Sequence, residues 1–304
     1  MIKTVRPTLD QPENTTMSTQ LSVKFWGVRG SVPTPTQANQ RYGGNTLCIE
    51  INLAGQKFIF DGGTGIVSLG YHLLQQNKPI RAHIFFTHTQ WDRIQGFPFF
   101  QPAFVPGNHF TLYGGTAPNG ASIKHCLTDQ MLQPHFALPL QNMQATLNFR
   151  TVSAGNRLDI DGVQVEILKT NPATEALAYR LTWQDETSPK TIVYATDTTA
   201  HSVDENLLAF ANQADIFVCD GTYTDLTYLR HNVPSKSAGQ SNIQPVLEPW
   251  EPALNIAKTA GVKSLVLVHH SPVQTDTGLD QLQAELRDRF PATYIAYEGM
   301  TLTD

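Results

Sequence analysis

Short runs in which apolar residues alternate with polar ones, or follow each other without interruption, recur along this chain between turns rich in Gly, Pro and Asn. Three such runs, Leu21–Val28, Thr46–Asn52 and Lys57–Asp61, predict consecutive strands. After Asp61-Gly62-Gly63-Thr64-Gly65 the apolar positions Ile66, Leu69, Leu73 and Leu74 fall near a spacing of 3.6, which predicts a helix packed on that early sheet. His83–Thr87 supplies another buried strand. The second half repeats the habit at Gly162–Leu168, Leu177–Trp183, Thr191–Ala195 and Asp215–Asp220. It then adds helices at about Glu251–Ala260 and Gly278–Phe290, with the β-type run Ser264–His269 between them. Thr293–Ala296 and Met300–Leu302 close the chain. Two strand-rich halves, each followed by helices, predict two sheets packed face to face with helices outside.

Two regions break this rhythm. From Phe97 to Leu140 the chain is rich in Pro and Phe, too irregular for one long helix and too apolar for a disordered linker. It reads either as a lid over a pocket or as a hydrophobic wall of the core, since most Phe and Leu are simply buried. The first twenty residues carry Pro7, Pro12, Asn14, Thr15 and Thr16 and no apolar stretch of seven or more, which fits neither a signal peptide nor a membrane anchor. They read as a disordered leader, with Met17 as an alternative start, and residues 21–304 as a single domain.

Composition narrows the function classes. With 40% hydrophobic residues among 304, the chain buries a substantial core. Only 15% of residues are charged and the net charge is -5, without a Lys/Arg-rich run, so nothing points to a nucleic-acid-binding surface. A cytoplasmic protein is the expectation. Cys48, Cys126 and Cys219 are too scattered for a disulfide framework; Cys48 and Cys219 lie in apolar strand-like runs and read as core thiols.

The segment with most chemistry is His83-Ile84-Phe85-Phe86-Thr87-His88-Thr89-Gln90-Trp91-Asp92-Arg93-Ile94-Gln95-Gly96, a buried strand running into a polar turn. It resembles the His-x-His-x-Asp-His signature of the metallo-β-lactamase superfamily, with His88, Gln90, Asp92 and Arg93 at the four positions. Further matches follow in order: Phe25-Trp26-Gly27-Val28-Arg29-Gly30-Ser31, Phe60-Asp61-Gly62-Gly63-Thr64-Gly65, Ala195-Thr196-Asp197-Thr198 and Leu265-Val266-Leu267-Val268-His269-His270. They are similar to the branch holding RNase Z-like and cyclic-nucleotide phosphodiesterase-like proteins. The resemblance implies a four-layer αββα sandwich of two mixed β-sheets.

It also implies a two-ion hydrolytic centre, in which each ion needs about four donors and activates a water. The first ion would take His88, residue 90, a His near Asn171-Pro172, and Asp197. The second would take Asp92, residue 93, Asp197 and His269. In this chain Gln90, Arg93 and Asn171 stand where the pattern calls for His. Gln and Asn are poor zinc donors, and a guanidinium that cannot lose its proton would repel a dication at ~4 Å by roughly 8 kcal/mol at an effective dielectric of 20. The expectation is that Arg93 takes over the ion's electrostatic role, paired with Asp92 or Asp197.

A Gly-His-Ser segment usual in the family is not evident at Ala238-Gly239-Gln240-Ser241-Asn242; His231 lies in the same region, and His201, His109, His125 and His135 read as solvated side chains. Asp61 reads as orienting the His88 loop. Two readings of the remnant positions His88, Asp92, Asp197 and His269 follow. In one they are structural, no cofactor is held, and the old cleft serves a binding or regulatory protein that takes a nucleotide-like small molecule or a protein partner. In the other a metal-dependent, phosphodiesterase-like hydrolase keeps a residual site with one weakly bound Zn or Mn, and Asp92 and Asp197 are its catalytic carboxylates. β-Lactamase activity has no support beyond the resemblance in fold.

Overall fold

A computed structural model describes residues 3–5, 21–185, 188–198, 204–221 and 250–303. Fifteen strands among them form two mixed sheets. The first contains β1 (Lys3–Val5), β2 (Leu21–Gly27), β3 (Cys48–Leu53), β4 (Gln56–Phe60), β5 (Arg81–Phe85), β6 (His109–Gly114), β7 (Thr146–Thr151) and β15 (Thr301–Thr303), in the order β1-β15-β2-β3-β4-β5-β6-β7. The second contains β8 (Arg157–Ile160), β9 (Val163–Asn171), β10 (Ala176–Gln184), β11 (Pro189–Ala195), β12 (Ile216–Asp220), β13 (Ser264–Val268) and β14 (Thr293–Ile295), in the order β14-β13-β12-β11-β10-β9-β8.

The period of two along each strand sorts side chains between layers. Phe58 and Phe60 of β4, Ile192 and Tyr194 of β11, and Val266 and Val268 of β13 point into the core between the sheets. Their neighbours point outward: Ile59 joins Ile66, Leu69 and Leu73 of α1 (Gly65–Leu74). On the opposite side Val193, Leu265 and Leu267 meet Leu254 and Ile256 of the helix Trp250–Thr259 and Leu279 and Leu286 of the helix Asp276–Arg289. Three apolar layers between four structural ones make the αββα sandwich, each fully buried Leu, Ile or Phe contributing roughly 1.5–3 kcal/mol.

Several expectations change. Within the Pro/Phe-rich stretch, His109–Gly114 is a strand of the first sheet, and Phe97, Phe100, Phe110, Leu112, Ile123 and Leu127 fill the outer-face core together with α1. Phe99, Leu132 and Leu138 of the same stretch stay exposed. Residues 3–5, expected inside a disordered leader, pair with β15 as β1. Cys48 and Cys219 are buried and all three cysteines are free. Among the described residues no helix is long and apolar enough to cross a membrane. His201, His231 and Ala238–Asn242 lie outside the described residues.

Candidate functional site

Parallel pairing aligns the C-terminal ends of strands, where an α/β sheet gathers its polar residues. In the first sheet β4 runs parallel to β5; in the second β11, β12 and β13 run parallel in succession. Asp61 follows β4, His88 follows β5, Asp197 follows β11, Asp220 ends β12 and His269 follows β13. Asn171 ends β9. Each is the first polar residue or nearly so after an apolar run, held where its strand stops.

Asp92 and Arg93 come from the short helix α2 (Trp91–Ile94), which packs backbone to backbone on the Asp61–Gly65 turn. Gly62 donates its N–H to the Arg93 carbonyl at 2.6 Å, and Gly96 donates to the Gly62 carbonyl at 2.9 Å. A Cβ at Gly63 would lie 2.6 Å from the Asp92 carbonyl oxygen, so only glycine admits this approach. Asp61, Asp197 and His269 adopt left-handed backbone with φ of 59, 56 and 62°. Non-glycine residues seldom do so, and such corners cost on the order of 1–3 kcal/mol each.

The Asp61 carboxylate is fully buried and accepts from the Thr87 N–H at 2.8 Å, the Thr87 hydroxyl at 3.0 Å and the Tyr194 hydroxyl at 2.8 Å. Thr87 Oγ1 also lies 3.1 Å from His88 Nδ1, so Asp61 reaches the imidazole through one hydroxyl. The other ring nitrogen, His88 Nε2, bonds Gln90 Oε1 at 2.9 Å.

Arg93 is 1% exposed. Its Nε lies 3.3 Å from Asp92 Oδ2 and its Nη1 3.5 Å from Asp61 Oδ2. The sequence led us to expect Asp92 or Asp197 as partner; Asp92 is one, and Asp61 takes the place of Asp197 because α2 sits on the Asp61 turn. Asp197 instead accepts from Asn171 Nδ2 at 3.3 Å and from the Thr174 hydroxyl. His269 Nε2 lies 3.3 Å from Asp92 Oδ2, and His269 Nδ1 lies 3.4 Å from Asp220 Oδ1. Asp220, also bonded by the Thr198 N–H at 3.1 Å, was missed in the sequence. Its signal was present, a carboxylate closing the apolar run Ile216–Cys219 as Asp197 closes its own.

The proton affinities follow from this packing. Burial alone would raise the Asp92 carboxyl, but the Arg93 cation and then the His269 hydrogen bond outweigh it and hold Asp92 well below the usual carboxylate range. Burial works against charge on Arg93 as well; Asp92 and then Asp61 more than compensate, so the guanidinium is held still more firmly protonated. Burial raises Asp220, with His269 and Arg93 opposing. His269 is pushed down by burial and by Arg93, yet its bond to Asp92 and the charge of Asp220 leave it above its ordinary value.

The neighbouring His270 faces the other way and donates to the Ala296 carbonyl at 2.7 Å. Burial first, assisted by Arg29 and His269 and opposed by that hydrogen bond, brings its imidazole down to about 3, so it stays neutral. Arg29 fixes the loop behind the pair: its guanidinium donates to the carbonyls of Gly43 at 2.8 Å, Ser271 at 3.1 Å and Gln274 at 2.8 Å. Gly30 then lies so close that an added Cβ would sit 2.5 Å from the His269 ring. Of the other histidines, His125 pairs with Asp129 on the surface at 3.2 Å and His135 is exposed.

Thus Gln90, Asp92, Arg93 and His88 form one group with Asp61, His269 and Asp220, while Asn171 and Asp197 bond each other. Among the described residues no set of three or more His, Cys, Asp and Glu side chains is arranged to hold a metal ion.

The sequence pattern described as "Beta-lactamase superfamily domain" matches residues 70–270. No curated protein sequence matches the chain. Among solved structures, the metallo-β-lactamase fold protein YhfI from Bacillus subtilis is similar with a TM-score of 0.60 at 19% identity, over 93% of this chain and 99% of that one. A diphosphatase of the PhnP family gives 0.62 at 14% identity, over 92% and 96%. The short form of human tRNase Z (ELAC1) gives 0.54 at 17% identity, over 92% and 98%. At these identities the likeness is one of fold.

Proposed function

We propose, for a chain that belongs to the β-lactamase superfamily, that its centre does not run two-ion hydrolysis and that the cleft at the strand ends serves binding or regulation. One observation carries this reading. Each side chain standing where the family resemblance calls for histidine is spent on the neighbouring group that would serve an ion: Gln90 on His88 Nε2, Arg93 on Asp92, Asn171 on Asp197.

Each ion of a zinc pair needs about four donors. Here the strongest remaining ones, Asp92 and His269, face a fixed cation that would repel a dication at ~4 Å by roughly 8 kcal/mol at an effective dielectric of 20. These residues do not fit a dinuclear zinc centre. Relatives named a diphosphatase and a tRNase Z favour a nucleotide-like small molecule as the occupant of the cleft, ahead of a protein partner.

The test is metal analysis of the purified chain, together with turnover of a chromogenic phosphodiester in added zinc or manganese. The expected result is no stoichiometric ion and no turnover above buffer, with a nucleotide series raising Tm. One weakly held ion without turnover would retain the binding reading with a residual site. Two ions per chain with turnover would establish the competing reading, a phosphodiesterase-like hydrolase acting through Asp92 and Asp197.

A further inference from the structure

The centre holds a line of alternating acidic and basic side chains that crosses from one sheet to the other. Asp61, at the end of β4, lies 3.5 Å from Arg93; Arg93 lies 3.3 Å from Asp92; Asp92 lies 3.3 Å from His269; His269 lies 3.4 Å from Asp220 at the end of β12. The acids at 61, 92 and 220 are 0, 2 and 7% exposed, and Arg93 is the permanently charged cation among the residues in this line. Such acids are stable in a low-dielectric interior only beside a compensating charge.

The manner of the contacts matters as much as their sign. Arg93 Nε and Nη1 make no aligned hydrogen bond, and Asp92 Oδ1 and Asp220 Oδ1 receive none from the described residues. A bidentate fork would demand the planar guanidinium shape. Contacts of 3.3–3.5 Å without that alignment ask for a positive charge and leave its shape open.

We propose that Arg93 is the protein's built-in replacement for an ion at this junction: its charge holds Asp61 and Asp92 together and, through the Asp92–His269 contact, ties the strand ends of the two sheets, makes the fold independent of metal, and is replaceable by a free cation once the side chain is removed. This goes beyond the binding reading and does not depend on what the cleft holds. Its readout is thermal stability, so its failure is distinct from a failure in the metal and turnover assays.

Tm is measured for the full chain with and without EDTA, zinc and millimolar guanidinium. EDTA is expected to leave the wild-type Tm unchanged. Arg93→Met keeps the bulk and loses the charge; it is expected to lower Tm by about 10 °C, with Arg93→Lys losing less. Arg93→Ala should fall as far as Arg93→Met and regain at least half of its loss in zinc or in guanidinium. Should Arg93→Met not yield soluble protein, Arg93→Met combined with Asp92→Asn is expected to fold, because one stranded acid is gone. The proposal is overturned by an Arg93→Met protein as stable as wild type, by Arg93→Ala responding to neither cation, by EDTA lowering the wild-type Tm, or by a double variant no better than the single one.

Discussion

Around Asp92 the centre is bonded by charge, whereas a few residues away, around His88 and Asp197, it is bonded by neutral amides and hydroxyls. On the charged side Asp61, Arg93, Asp92, His269 and Asp220 alternate acid and base, and all are nearly or fully buried. On the amide side Gln90 meets His88, and Asn171 and Thr174 meet Asp197. The two sides place the same kind of residue in the same fold, yet they differ in what removal of one partner leaves behind. A lost amide gives up one neutral hydrogen bond, a net cost of about 0.5–1.5 kcal/mol. A lost charge leaves its opposite buried and alone, costing about 3–5 kcal/mol.

That difference orders the expected effects. Asp61→Ala strips Arg93 of one counter-charge and Thr87 and Tyr194 of their acceptor, and is expected to cost about 3–5 kcal/mol in denaturant unfolding; a loss below 1 kcal/mol would remove the distinction between the sides. Gly30→Ala drives a methyl into the His269 ring, so about 1–3 kcal/mol is expected from overpacking, with the His269 imidazole resonances displaced in NMR spectra. Gln90→Ala and Asn171→Ala act on the amide side, and each is expected to cost about 0.5–1.5 kcal/mol. Equal losses for Gln90→Ala and Asp61→Ala would break the comparison.

The smallest effect serves as a control outside the centre. Glu50, buried on the outer face of the first sheet, is raised by burial but lowered further by Lys57 and by hydrogen bonds from Trp26 and Asn52, for a net depression. A depressed carboxyl contributes stability that is present above its unfolded pKa of about 4 and is lost as pH falls through its folded value. Glu50→Gln is therefore expected to flatten the acid limb of a Tm-against-pH curve while leaving the neutral region nearly level; an unchanged acid limb would assign that stability elsewhere.

What could be read from the chain follows from range. Runs such as Leu265–Val268 and Ile216–Cys219 are apolar throughout because helices cover one face and the other sheet covers the second, and such strands announce themselves. The strands β7 and β8 lie at sheet edges with mostly exposed or half-exposed residues and alternate apolar with polar over only a few positions, while β6 sits among prolines and phenylalanines; signals this short do not stand out in the chain. The spacing from His88 to Arg93 is local, so the presence of a cation beside Asp92 was legible. Its second partner was not: Asp61 meets Arg93 only because Gly62, Gly63 and Gly96 let α2 lie on the preceding turn. Asp220 reaches His269 through the parallel pairing of β12 and β13, a contact between segments 49 residues apart that local pattern does not encode.

The left-handed corners at Asp61, Asp197 and His269 have a thermodynamic corollary for the proposed binding at these strand ends. Each corner is already bent, at a cost met during folding, so a guest bound beside them would surrender little loop entropy on arrival. Affinity there would be set by how well the guest matches a mould cast beforehand.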